Sequence, residues 1–345
     1  MPTLAVLPRG LRLPSRHTAG GRPVTQLVPG ETTALEIDPE VLRTRAQHLA
    51  ENSRAANTRK AYQSDMDQFR TWRAAQRPPL QALPADPVTV ALYLTALVEV
   101  RKPPTIRRRM DSISVVHQLA GFASPITDAA VQAVWKGIRR TQGTAPSKKK
   151  AARTKVIAAL VAPLGAGLSD VRDRALLLMG FAGALRRSEL VALDVRDVSE
   201  DDDGLIVTLH RSKADQEGRG EIRGLPYGSR PATCPVRAWR AWIAASDITD
   251  GAAFRAVSRH GLLSTTRLSD RAVANMIKRR ASEAGLTGDF AGHSLRVGFA
   301  TEAYAQGTPE LTIMRHGRWR SASVMRGYVE QGGVWTDNAA QRLGL

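Results

Sequence analysis

Toward the C-terminal end of the chain, Gly292-His293-Ser294-Leu295-Arg296 is followed by Trp319, within Arg318-Trp319-Arg320, and then by Tyr328. His293 and Arg296 stand three residues apart, a spacing that puts both on one face of a helix. Tyr328 offers a nucleophilic hydroxyl, Arg296 a permanent positive charge, and His293 a group that accepts or donates a proton. These are the parts needed to attack a phosphodiester. A tyrosine hydroxyl ionises at about pH 10, so it needs positive charge or a base beside it to attack at neutral pH. Trp319 can donate its indole N–H to a phosphate oxygen while its ring packs the wall of the site; an ordinary core tryptophan is the alternative. Nine residues separate Trp319 from Tyr328, which is opposite faces of one straight helix, so both face one phosphate only if the chain breaks between them. Gly327 beside Tyr328 suits a nucleophile that must move.

Composition agrees with a phosphodiester partner. The 345 residues carry 50 Lys plus Arg against 32 Asp plus Glu, a formal charge of +18. That excess implies a polyanion, nucleic acid rather than membrane, with a solvated basic surface as the bland alternative. A chain of this length with 43% hydrophobic residues implies a globular protein of two domains. The single cysteine, Cys234, excludes an internal disulfide and suits a small buried apolar position. The seven histidines show no metal-ligand spacing, so neither a metal nor another cofactor is expected. No apolar run is long enough to span a membrane and residues 1–30 contain no signal-peptide core, so the expected location is the cytoplasm, with the nucleoid or plasmid DNA.

The elements that must position these residues read as mainly α. Residues 1–41, rich in Pro, Gly and Arg, read as a disordered basic arm. From Asn57 a helix carries Tyr62, Met66, Phe69 and Trp72 or Arg73 as a core stripe and ends before Pro78-Pro79. A second helix spans 88–100, a third starts at Thr105 with Ile106, Met110, Ile113 and Ala120 on one face, and a fourth covers 128–139. Residues 141–154, with Gly143, Pro146 and Lys148-Lys149-Lys150, read as a basic linker between a helical domain at 42–140 and a second domain at 155–345. Helices at 155–164, 169–183, 237–245 and 269–284 alternate with strands at 205–209 and 221–227, which bracket a loop containing Lys213 and form a small antiparallel sheet. Further helices carry His293, Arg296 and Tyr328. There are no internal repeats.

The motifs resemble, in order and spacing from about Asn57 to about Tyr328, the tyrosine recombinase (phage integrase) family. Asn57-Thr58-Arg59, Tyr62, Thr105-Ile106-Arg107-Arg108-Arg109 and Gly137-Ile138-Arg139-Arg140 are similar to its Cre-type members, as is Trp319, where most members have a second histidine. His316 lies twelve residues before Tyr328, and the spacing favours Trp319. The resemblance implies a helical, SAM-like core-binding domain at 42–140 and a mostly helical catalytic domain at 155–345, closing as a C-shaped clamp on duplex DNA.

It also implies roles. The phosphorane-like transition state gathers negative charge that two guanidiniums can clamp. Arg296 is one and Arg186, in Leu185-Arg186-Arg187-Ser188-Glu189-Leu190, is similar to the family's first arginine. Arg187 is its rival, and the pattern puts the functional residue at Arg186, on the same helical face as Glu189. Glu189 then supports the site, an exposed ion pair being the alternative. His293 acts as base or phosphate donor, and Lys213 as the acid that protonates the departing 5′ oxygen. Arg107, Arg108 and Arg109, the linker lysines Lys148, Lys149 and Lys150, and Lys278 with Arg279 are the candidate DNA contacts.

The implied activity is site-specific DNA recombination through a 3′-phosphotyrosine and a Holliday junction. The implied partner is double-stranded DNA with inverted-repeat sites, two of which a homotetramer holds together, the protein being a monomer free in solution. At the C-terminal end, Trp335, Ala339 and Leu343 share one face of a short helix suited to docking on a neighbouring protomer. A type IB topoisomerase-like relaxing enzyme and a catalytically inactive DNA-binding regulator are the alternatives.

Overall fold

Several helices in this chain begin at a proline or at a small polar cap. The computed structural model of the protein describes residues 40–42, 44–45, 54–143, 150–210, 220–332 and 343. It divides into two compact units, Met1–Pro146 and Ser147–Leu345.

The first unit is a helical bundle of α1 (Ala56–Ala74), α2 (Pro87–Val98), α3 (Pro103–Leu119) and α4 (Ala129–Gln142). Both α2 and α3 open on proline, whose missing N–H falls where a helix has no intrahelical acceptor to offer. Asp128 caps α4 by accepting from the Ala130 N–H at 2.8 Å. Each helix then turns its apolar stripe inward. Met66 and Phe69 of α1, Tyr93 and Leu94 of α2, Ile106, Met110 and Ile113 of α3, and Val131 and Trp135 of α4 form one buried cluster.

The three consecutive arginines of α3 diverge in environment. Arg107 is exposed and pairs with Asp111 at 3.0 Å. Arg108 is half-buried and pairs with Asp65 at 2.8 Å. Arg109 corrects the expectation of a DNA contact: it is buried, donates to the Tyr93 hydroxyl at 2.6 Å and to Gln68, and lies 3.7 Å from Asp65. The helical period of α3 turns this position toward the core, where a guanidinium persists only by being paired.

The second unit begins with α5 (Thr154–Val161), α6 (Leu168–Ala182) and α7 (Arg187–Ala192). Strands β1 (Val198–Asp201), β2 (Gly204–Leu209) and β3 (Glu221–Pro226) form an antiparallel sheet in that order. Gly204 begins β2 where an added Cβ would meet the Leu225 carbonyl oxygen at 2.1 Å, so a side chain is excluded there. Next come α8 (Pro235–Ser246), the hairpin β4 (Arg255–Val257) and β5 (Leu263–Arg267), and α9 (Asp270–Glu283). The last helices are α10 (Gly292–Ala305), α11 (Glu310–Gly317) and α12 (Ala322–Gly332). The mainly helical expectation with a small antiparallel sheet holds; β1 and the β4–β5 hairpin are additions, too short and too polar to announce themselves.

Helix α6 is the centre of this unit, with Ala175, Leu176, Leu177, Leu178 and Met179 all buried. It packs on α8 and α10, and α10 packs in turn on α11 and α12. A segment ahead of α5 runs along α10: Lys150 donates its backbone N–H to Asp289 O at 3.1 Å, and Ala152 donates to Ser294 O at 2.9 Å. A Cβ at position 298 of α10 would lie 2.1 Å from Ala152 O, so Gly298 lets that segment approach. Lys150 also directs its ammonium to Thr287 O at 2.7 Å, and Lys148, Lys149 and residues 1–39 of the expected arm lie outside the described residues. On α9, Lys278 is exposed, whereas Arg279 is engaged by Asp173 at 2.9 Å. No helix among the described residues is long and apolar enough to cross a membrane.

The buried Asp65–Arg109 contact makes a stability test. Removing the carboxylate leaves a guanidinium in the core without an anion, a change that costs about 3–5 kcal/mol, whereas an exposed i,i+4 pair such as Arg107–Asp111 contributes about 0.3–0.5 kcal/mol. Chemical unfolding is therefore expected to find Asp65→Ala strongly destabilised and Asp111→Ala close to wild type. Equal losses in the two variants would contradict the burial assigned to Arg109.

Candidate active site

The first arginine is placed by a helix cap. Arg186 is the N-cap of α7, with extended φ −72 and ψ 148, rather than a residue on the helix as the pattern suggested. Glu189, in the first turn, reaches back to accept the Arg186 backbone N–H at 2.8 Å and its Nη1 at 2.5 Å. Glu189 is buried and takes a third donor, Nη2 of Arg318. Burial opposes its ionisation, but the Arg318 and Arg186 guanidiniums and the Arg186 N–H outweigh that and hold its pKa below the usual carboxylate value. The exposed-ion-pair alternative for Glu189 is therefore wrong. Arg187, the rival position, pairs with Asp270 at 3.1 Å and is half exposed.

Arg296 comes from α10 and is buried. Its Nη1 donates to Ala184 O at 2.7 Å, and Ala184 holds a left-handed φ of 46, which turns its carbonyl to Arg296. The guanidinium carbon lies 4.1 Å from the centroid of the Trp319 ring, a cation–π stack. These partners are a carbonyl and a ring face rather than a carboxylate. Burial and the nearby Arg186 charge push the Arg296 guanidinium down to about 9, still protonated at neutral pH. The partly exposed Arg186, paired with Glu189, and the buried Arg296 repel one another, an arrangement that suits an anion.

One turn earlier on α10, His293 Nε2 lies 2.9 Å from the Tyr328 hydroxyl, with the two rings edge to face at 5.1 Å. Tyr328 belongs to α12, whose backbone is tied to α10 by Thr301 Oγ1 donating to Tyr328 O at 3.2 Å. Trp319 sits in the break between α11 and α12, 6.0 Å from the Tyr328 ring, and its backbone N–H donates to Met314 O at 3.0 Å. Its ring folds back over Gly317, where an added Cβ would lie 1.7 Å from it. His316 is engaged elsewhere: Nε2 lies 2.8 Å from Ala182 O and its ring stacks on Phe299 at 4.5 Å.

Tyr328 thus touches both His293 and Trp319, Trp319 touches Arg296, and Arg186 joins them through its charge on Arg296. Lys213 lies outside the described residues, between His210 and Gly220. Sequence reasoning missed Arg318, buried between Glu189 and Glu221. Nothing in Arg318-Trp319-Arg320 separates the two arginines, and the partner carboxylates are distant in sequence.

Residues 151–332 match the phage integrase family. The chain is 39% identical over 310 residues to the integrase/recombinase xerD homolog of Selenomonas ruminantium, covering 88% of this chain and 90% of that protein. It is 25% identical over 267 residues to the recombinase Cre of Escherichia phage P1, covering 71% and 76%. In structure it is similar to a lambda integrase dimer bound to a COC′ core site, with a TM-score of 0.59 at 14% identity over 89% of this chain and 85% of that one. That last likeness is one of fold. The family match spans more than half of the chain, and the similarity to the Selenomonas protein runs along most of it; the chain belongs to the phage integrase family and is a tyrosine site-specific recombinase.

Proposed function

We propose that the protein exchanges DNA strands between two specific sites through a 3′-phosphotyrosine on Tyr328. The observation that carries this reading is the 2.9 Å contact of the Tyr328 hydroxyl with His293 Nε2, beside a buried Arg296 that has no carboxylate partner among the described residues. The Tyr328 oxygen attacks phosphorus while His293 Nε2 takes its proton. Arg186 and Arg296 clamp the non-bridging oxygens as their charge grows, and Glu189 holds Arg186 in place. The P–O5′ bond breaks, and the 5′ oxygen receives a proton from Lys213. The phosphotyrosine keeps the bond energy, so a 5′ hydroxyl from the other duplex can attack it and release Tyr328 without a nucleotide. One such exchange gives a Holliday junction and a second resolves it.

Trp319 serves this reading mainly through its ring. The stack on Arg296 fixes the plane of the guanidinium and excludes water from one side of it. The expected partner is duplex DNA with inverted-repeat sites in the cytoplasm, two sites being held by four protomers that are monomers when free. Arg107, Arg108, Lys278 and the linker lysines Lys148, Lys149 and Lys150 remain the proposed phosphate contacts, with Arg279 shared with Asp173; Arg109 is excluded by burial.

Three outcomes test the roles. A nicked duplex that loses its downstream strand on cleavage is expected to trap the protein on a 3′ phosphate, and peptide mapping to place the adduct on Tyr328. An adduct on Tyr304 or Tyr227, or one formed by Tyr328→Phe, would sink the assignment. Arg186→Ala and Arg296→Ala are each expected to raise the barrier to cleavage by about 2.7–4 kcal/mol with little loss of DNA affinity. Variants that bind poorly but cleave bound DNA at the normal rate would reverse that conclusion. A substrate with sulfur at the bridging 5′ position needs no proton on its leaving group, so it should restore cleavage in Lys213→Ala. Rescue of a His293 variant by sulfur, with Lys213→Ala still inactive, would move the acid to His293.

A further inference from the structure

Arg318 occupies a position that its backbone disfavours. It caps α11 with φ 59 and ψ 45, the left-handed region in which a Cβ is crowded and glycine is at ease. What the arginine adds there is its head group. The side chain is 3% exposed; Nη2 donates to Glu189 Oε2 and Nη1 donates to Glu221 Oε2 at 3.1 Å. Among the described residues its Nε has no hydrogen-bond partner, so the site is not arranged to satisfy this side chain fully.

The neighbours of Arg318 lead to both guanidiniums of the proposed clamp. Glu189, on one side, holds Arg186 through the backbone N–H and Nη1. Trp319, the next residue, lies on Arg296 at 4.1 Å. A planar guanidinium joining two carboxylates has little freedom to rotate, so it fixes Glu189 of α7 against Glu221 of β3 and also fixes the turn that presents Trp319. Its own charge adds to the repulsion on Arg296, a poor choice for a residue that only stabilised the fold.

We propose that Arg318 is a positioning residue for the phosphate clamp: by bridging Glu189 and Glu221 it orients Arg186, and through the Trp319 turn it orients Arg296. This rests on the reading of Arg186 and Arg296 as the groups that bind the scissile phosphate. The residue makes no contact with DNA in this role and acts only through its two neighbours.

Arg318→Gly separates head group from backbone, because glycine enters the left-handed turn without strain. Single-turnover cleavage of a nicked duplex at saturating protein is expected to slow roughly 10- to 100-fold, the range typical of residues that orient first contacts. DNA affinity should be unchanged, and Arg318→Lys should recover part of the rate because it keeps a cation beside Glu189. In an Arg186→Lys background, adding Arg318→Gly should slow cleavage far less than it does in wild type, since the residue it acts through is already displaced. All assays run below the unfolding transition of each variant, read from thermal melts.

A wild-type cleavage rate in folded Arg318→Gly would overturn the proposal, as would an equal fold-loss in both backgrounds. If Arg318→Gly fails to fold, Glu221→Gln takes its place: it releases the other end of the bridge and should show the same dependence on Arg186. Arg186→Ala and Arg296→Ala are run in parallel. Wild-type rates for those two would remove the clamp itself, whereas slowed rates beside an unaffected Arg318→Gly would remove only the role given to Arg318.

Discussion

The Glu189 carboxylate is the contact on which the site is assembled. It is buried, and it accepts from the Arg186 backbone, the Arg186 side chain and Arg318. Glu189 thus serves two cations, one of which, Arg318, is shared with Glu221, while a third, Arg296, lies close enough to feel Arg186. A site with enough carboxylates to neutralise every guanidinium would be more comfortable empty and would gain less from a phosphate. Arg296, buried without a carboxylate partner among the described residues, fits the proposed clamp, in which developing charge on a phosphate would meet donors already held in place. The corresponding expense is stability, as is common where function requires like charges at close range.

Neighbouring helices of the second unit pack around that cluster. Helix α10 carries both His293 and Arg296 and is braced by α6, α11 and α12. The left-handed Ala184 aims a carbonyl at Arg296, and Gly298 admits the Lys150–Ala152 segment against the opposite part of the helix. The break after Gly317 lets Trp319 fold back while the following helix presents Tyr328. In sequence, the proposed nucleophile, Tyr328, comes last of these residues. In space, it meets a histidine 35 residues earlier through a single hydrogen bond.

Much of this was legible without coordinates. The Met66–Phe69 spacing in α1 and the Ile106, Met110 and Ile113 stripe in α3 revealed helices of the first unit because helical period acts locally, although α2 and α3 begin one and two residues earlier than expected, on Pro87 and Pro103. The pairing of His293 with Arg296 and the need for a break before Tyr328 followed from the same periodicity. Long-range choices were not legible. Arg107, Arg108 and Arg109 are identical in type, yet only the third turns inward to Tyr93, Gln68 and Asp65. Arg318 drew no reading from the sequence, because its partner Glu189 lies 129 positions away. Arg186 looked helical because a cap residue and a first-turn residue have similar spacing; only the dihedral angles distinguish them.

The charge state of Arg296 tests the central claim most directly. Carbon and nitrogen NMR of its guanidinium, followed through a pH titration of the free protein, should show deprotonation at about 9, driven by burial and by the Arg186 charge. Binding a cognate duplex places an anion against the cation, which favours the protonated form, so the titration should move to higher pH. A duplex with an uncharged methylphosphonate at the scissile position should give a smaller shift. The same titration point in free protein and in both complexes would contradict an arginine cluster built to wait for a phosphate.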